Sequence, residues 1–456
     1  MYHATTWKQR IGLFLTILLP ILVTQVSYNL MTMFDTMMSG RAGTADLAGV
    51  AIGASLWMPV SVGLNGILMA ITPMIAQLLG RQDRRQISRT VAQALYLSVL
   101  LALAVLLIGG LVLQPVLTAM NLERNVQDIA FHYLIGLCTG IVPLFASNVI
   151  RYFFDAQGYT RVTMTITVIA VPVNVLLNYL LIFGNWGFPR LGGVGAGYAT
   201  GITYWFILAL SVFMTFRIEA VRSFRLFKQW FKPSWKAWKE QLGLGVPMGL
   251  SIFFEASIFS IVTLLMGSMY DTATVAAHQS SINFTSLLFM IPLSIASALT
   301  ILVAFEVGSD RLQNARAYSR LGVGSAIGLL GFTSVFLYLF RGQIARMYSQ
   351  DPEVIGMMMQ FLVFGVFYQL SDAAQASLQG VLRGYKDTAV PFIIALAAYW
   401  GVGLPAGYAL SAWTSFGPFG FWVGITIGLT GAAAGFAVRL LYIQRRFKRQ
   451  GALQPQ

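Results

Sequence analysis

From Pro247 to Gly267 the chain reads PMGLSIFFEASIFSIVTLLMG, an apolar run with one carboxylate, Glu255, near its middle. A helix of ~20 residues, rising ~1.5 Å per residue, spans ~30 Å, the thickness of a bilayer's hydrocarbon core. A carboxylate at that depth costs about 3 kcal/mol or more. Nothing in a lipid-facing helix requires such a cost. Glu255 is therefore expected to face a protein interior or a water-filled cavity.

Runs of this kind recur. Hydropathy marks twelve, at 11–37, 50–79, 91–114, 129–150, 162–184, 194–216, 241–268, 275–305, 321–340, 354–380, 389–411 and 419–443. Only 10% of the 456 residues are charged and 57% are hydrophobic, whereas a soluble domain carries ~25% charged residues. The chain reads as an integral, all-α membrane protein. Its first run is too long for a signal-peptide core. The single cysteine, Cys138, excludes an internal disulfide and any CxxC metal site. His3, His132 and His278 are too scattered for a metal cluster, and no cofactor is expected.

The net charge of +14 has a pattern. Twenty-five of the thirty Lys and Arg residues fall in the two termini and every second loop, seven of them between Arg217 and Lys239. The alternate loops hold only Arg41, Arg124, Arg190, Arg341 and Arg346. By the positive-inside rule both termini are cytoplasmic and the protein is a multi-pass component of the inner (plasma) membrane. The basic charge is topological, so no nucleic-acid partner is expected. Of sixteen acids, seven are assigned to inner loops, Asp155 and Glu306 among them, and six to outer loops. Asp35, Glu255 and Asp372 remain inside spans, with no Lys or Arg placed at mid-membrane beside them. Such carboxylates take up a proton or bind a cation.

The chain also repeats itself. Pro20…Ser39-Gly40 matches Pro247…Met266-Gly267 at an offset of 227, and Gly80 matches Gly308 at 228. Two six-helix lobes are expected, related by a pseudo-two-fold axis along the membrane normal with a cleft between them. Their boundaries are an N-terminal lobe at 1–216, a basic cytoplasmic linker at 217–240 and a C-terminal lobe at 241–456.

Phe34-Asp35-Thr36-Met37-Met38-Ser39-Gly40, Phe253-Phe254-Glu255-Ala256, Val275-Ala-Ala-His278-Gln279, Tyr368-Gln-Leu-Ser-Asp372 and Leu382-Arg-Gly-Tyr-Lys-Asp387 carry a resemblance. Together with the span count, they resemble the multidrug and toxic-compound extrusion (MATE) family, in its NorM-like branch. The resemblance implies a two-lobed exporter that works by alternating access. It implies that an inward Na⁺ or H⁺ gradient drives out small organic cations, dyes and fluoroquinolones included.

Glu255 and Asp372 both fall near mid-bilayer, and Tyr368 lies one turn from Asp372 on the same face. Two carboxylates and a phenol oxygen suit Na⁺, or the carboxylates share a proton; the alternative is that each is merely hydrogen-bonded between helices. The resemblance points to these three as the cation site of the C-terminal lobe. Asn174 and Asn178 are four apart and share a face. The resemblance gathers them with Asp35 as a proton or substrate station, against the alternative of an interhelical amide bond. Asn283 and His278 are weaker cleft candidates. Ser55 and Asp351 match cleft-lining positions in relatives, although Asp351 before Pro352 equally suits a helix N-cap.

A lipid-linked saccharide flippase of the same wider superfamily is the rival reading. Such a protein needs basic residues to hold pyrophosphate, and here acids stand instead. No nucleophile with a base lies among the spans, so an enzyme is not expected. Gly193-Val-Gly-Ala-Gly197 lacks the GxxxxGK[ST] of a phosphate loop, which leaves an ion gradient as the energy source. Besides the lipid bilayer no obligate partner is expected, and the chain is taken as a monomer.

Overall fold

A computed structural model describes residues 1–452, the side chain of Ala452 aside. Among the described residues there is no strand. The helices are α1 (Trp7–Ala42), α2 (Thr44–Leu68), α3 (Ile71–Gly80), α4 (Arg84–Ala119), α5 (Arg124–Cys138), α6 (Ile141–Ala156), α7 (Thr160–Phe183), α8 (Gly193–Arg217) and the short α9 (Glu219–Arg222). They continue with α10 (Trp235–Met269), α11 (Thr272–Gly308), α12 (Leu312–Leu339), α13 (Arg341–Tyr348), α14 (Pro352–Gly384), α15 (Ala389–Leu396), α16 (Leu404–Trp413) and α17 (Phe419–Ala452). Among the described residues eleven stretches are long and apolar enough to cross a membrane, twelve if the bent pair α5–α6 counts as one. Large side chains such as Leu111, Phe332 and Val438 stand exposed along these helices, as they do where the solvent is lipid.

The expected continuous span at 129–150 is broken, and α6 turns 48° from α5. Pro143 explains the break. It has no N–H to donate to the carbonyl of Thr139, four residues back. The indole Nε1–H of Trp205 donates to that carbonyl instead, at 2.8 Å, so the freed backbone group is re-satisfied from α8. A second irregularity joins α15 to α16: residues Ala397–Gly403 form a π-helical stretch. There the chain approaches α17 through glycines. A Cβ on Gly424 would overlap the backbone of Gly407, a small-residue crossing of the kind membrane helices use.

The repeat is visible in the elements. α1 and α10 begin 228 residues apart, as do α2 and α11, α4 and α12, and α5 and α14. The left-handed residues repeat too, Gln82 with Asp310 and Gly158 with Lys386. The chain divides into two compact units. One holds Met1 and Leu19–Gly249; the other holds Tyr2–Leu18 and the chain from Leu250 onward. The stretch at 217–240 is docked on the first unit. Gln93 donates to the Lys232 carbonyl at 2.7 Å and accepts from the Ser234 amide at 2.9 Å, and Ser88 donates to the Phe224 carbonyl at 2.9 Å.

Glu306 and Asp155 are among the acids assigned to loops that lie in helices. Glu306 is fully buried near the end of α11, where His3 Nδ1 stands 3.5 Å from its carboxylate and Asn314 donates to it at 3.4 Å. Asp155 closes α6 and accepts from Thr163 at 2.8 Å. Hydropathy misplaces both because they sit at helix ends, where a span boundary is blurred by several residues.

Candidate functional site

In the second unit, α10 and α14 bring Glu255 and Asp372 to one side chain that sequence reasoning did not single out. Gln375, fully buried, donates through Nε2 to Glu255 at 2.9 Å and to Asp372 at 2.8 Å. Gln375 lies three residues after Asp372, so both share a face of α14. Its carbonyl oxygen accepts from the hydroxyl of Tyr399 at 2.7 Å. Tyr399 is on the π-helical stretch, and the next residue, Trp400, donates its indole N–H to the carbonyl of Phe254 at 3.1 Å. The widened turn thus grips both the amide that bridges the carboxylates and the backbone just before Glu255. Such turns are rare and concentrate at functional sites.

Tyr368 completes the group. It stands one turn before Asp372 on α14, and its ring lies 5.8 Å from that of Trp422. Asp372 is 5% exposed and Glu255 is partly buried. The buried Arg383 lies eleven residues along α14 from Asp372. Arg383 was read as a flanking loop residue, whereas α14 carries on to Gly384.

In the first unit a separate cluster forms around Asp35, which is 7% exposed. Asn178 donates to its Oδ1 and Thr200 to its Oδ2, both at 2.7 Å. Asn178 also donates to Asn174 at 3.3 Å, and Asn174 donates to Thr203 at 3.4 Å. The pair predicted from α7 does gather on Asp35; Thr200 and Thr203 of α8 complete it. Two threonines three residues apart, on one face of α8, were the available signal for them. Asn178 Oδ1 is buried without a hydrogen-bond partner.

The other candidates lie elsewhere. His278 is buried at the centre of a tie between helices. Trp422 donates to its Nδ1 at 2.9 Å, so its proton is on Nε2, which faces Thr263 Oγ1 at 3.0 Å. Ser55 is exposed and donates to the Ala51 carbonyl of its own helix at 2.8 Å. Asn283 is exposed and accepts from the Tyr348 hydroxyl at 2.8 Å. Asp351 caps α14, accepting from the Glu353 amide at 3.0 Å.

The sequence pattern of the family described as MatE matches residues 20–180 and 247–409. A protein of Oceanobacillus iheyensis named "Probable multidrug resistance protein NorM" is 51% identical over 446 residues, 98% of this chain and 100% of the relative. One of the same name from Halalkalibacterium halodurans is 51% identical over 453 residues, 99% of each chain. The crystal structure of MATE in the bent conformation matches with a TM-score of 0.88 at 19% identity, covering 97% of both chains. A MOP superfamily transporter from Pyrococcus furiosus matches at 0.86 and 19% identity, over 98% of this chain and 100% of that one; a reverse polarity of its binding pocket suggests a different function for it. At these identities the structures speak for the fold. The family pattern covers most of the chain, and the relatives match it end to end, so the chain belongs to the MatE family, in its NorM-like branch.

Proposed function

We propose that this chain is a multidrug efflux antiporter, exporting small organic cations in exchange for Na⁺ or H⁺ by alternating access. The names of its relatives support the broad reading. The observation that carries the detail is the pair Glu255 and Asp372 held on one amide. If both bonds are straight, their accepting oxygens are ~5 Å apart. Two full charges at ~5 Å repel by about 3 kcal/mol at an effective dielectric constant near 20. A cation bound between the pair removes that repulsion, and so does a proton on either carboxylate.

Coupling follows from that. While the pair is empty, the carboxylates favour an organic cation in the transport pathway. Na⁺ or H⁺ entering from outside neutralises them and weakens the drug's hold, so the drug leaves outward. The ion moves the equilibrium only through its different affinity for the two states. Na⁺ is the favoured ion, since Glu255, Asp372 and Tyr368 offer it oxygen ligands; Asp35 with Asn174 and Asn178 is the substrate or proton station. Acidic stations suit cationic cargo and do not suit the pyrophosphate of a lipid-linked saccharide. The protein works as a single chain in the inner membrane, with both termini cytoplasmic.

The test is export of a fluorescent cationic dye from cells or proteoliposomes, with Na⁺ and pH gradients imposed separately. Export driven by one of them is expected. Export indifferent to both gradients would overturn the antiport.

A further inference from the structure

Gln375 is fully buried, and each face of its amide has a distinct neighbour. Both N–H groups point at carboxylates, while the oxygen is turned away toward the Tyr399 hydroxyl. The neighbours fix this orientation, since ionised carboxylates only accept and the phenol can donate. An amide N–H carries partial positive charge, so in this orientation Gln375 occupies the place a cation would take. The same orientation is hostile to Na⁺, which needs oxygen lone pairs.

We infer that Gln375 is a reversible ligand of the coupling ion: Na⁺ entry turns its amide over, withdrawing the NH₂ and presenting the carbonyl oxygen as a further ligand. The hydroxyl of Tyr399 fits either face, because a phenol both donates and accepts. It donates to the carbonyl when the site is empty and accepts from the NH₂ when the site is loaded. Tyr399 sits on the π-helical stretch, whose Trp400 holds the backbone before Glu255. The turn of one amide is therefore felt by the α15–α16 junction and by α10. This rests on the reading of Glu255 and Asp372 as the Na⁺ site.

The experiment is the Na⁺-dependent rise in melting temperature of the purified full-length protein, titrated against choline at constant ionic strength. Binding to the folded state raises stability in proportion to ln(1 + [Na⁺]/Kd). Gln375→Met is expected to weaken Na⁺ about tenfold, the cost typical of losing one group that supports a metal site. An amide that only competes with the ion predicts the reverse, so tighter or unchanged binding in Gln375→Met would overturn the inference. Gln375→Ser is the second variant. The repeat places Ser147 at this position in the first unit, so the fold accommodates serine there, and its short side chain cannot reach the ion. Gln375→Glu restores an oxygen and is expected to bind Na⁺ at least as tightly as the wild type; binding as weak as that of Gln375→Met sinks the carbonyl's role. If Asp372→Asn leaves the Na⁺ response intact, the site itself is misassigned and the amide's role falls with it.

Discussion

The two units share a first helix, α1 in one and α10 in the other, but build their acidic stations around it in opposite ways. In the first, one carboxylate is saturated by neutral donors: Asn178 and Thr200 each give Asp35 a bond at 2.7 Å. In the second, two carboxylates divide the hydrogens of a single amide. One station is a charge already provided for, and the other is a charge short of donors. The bends are exchanged as well. The first unit breaks its α5–α6 span at Gly140, whereas the corresponding α14 runs unbroken from Pro352 to Gly384 and carries Tyr368 at that position. The second unit places its irregular turn one span later, at Ala397–Gly403. A straight α14 is what allows Tyr368, Asp372 and Gln375 to stand on successive turns of one face. Duplication supplied a common frame, and the irregular turn falls at a different span in each unit.

The widest gap between the stations should appear in coupling. Asp372→Asn is expected to lower gradient-driven export about a hundredfold, the equivalent of the ~3 kcal/mol of repulsion that the ion relieves. Membrane insertion should persist. Asp35→Asn is expected to weaken dye binding about tenfold, the scale of one charge-assisted contact, while leaving the Na⁺-dependent rise in melting temperature unchanged. Loss of that rise in Asp35→Asn would erase the division of labour. A smaller effect is expected from Asn178→Leu. It removes one of the two donors to Asp35 at the cost of about 1–2 kcal/mol, read as a fall in melting temperature that Na⁺ does not restore.

Much of this arrangement can be read from residue order. Apolar runs of bilayer length located the spans, because lipid imposes one length on every crossing. A carboxylate inside such a run is costly enough that Asp35, Glu255 and Asp372 stood out without any structure. Asn174 and Asn178 were found because α7 keeps its regular period through Pro172. Tyr399 was not, because the π-helical stretch shifts the register and sends it to a face that the 3.6 period assigns elsewhere. Gln375 was missed for a different reason. A neutral amide in a span costs little, so nothing in composition separates a bridging Gln from one tied to its own helix, as Gln157 is. Arg383 and Glu306 were missed at the ends of long helices, where hydropathy marks the apolar part of a helix and overlooks its last turns.

The exchanged bends give the smallest and sharpest test. At the break in the first unit, Trp205 supplies the hydrogen bond that Pro143 cannot give to the Thr139 carbonyl. The corresponding residue in α14 is Ser371, which has a backbone N–H to donate. Trp205→Phe alone should cost about 1 kcal/mol, the usual worth of an interhelical hydrogen bond in a membrane protein. Pro143→Ser restores the local donor, and with it a route for α5 and α6 to straighten. In that background Trp205→Phe should cost almost nothing, so the two changes should be non-additive by about 1 kcal/mol in a double-mutant cycle on thermal stability. Strict additivity would mean that the indole only packs at the bend. In that case the 48° turn would have to be held by the close approach of Gly140 to Gly201, and the contrast between the units would rest on glycine rather than proline.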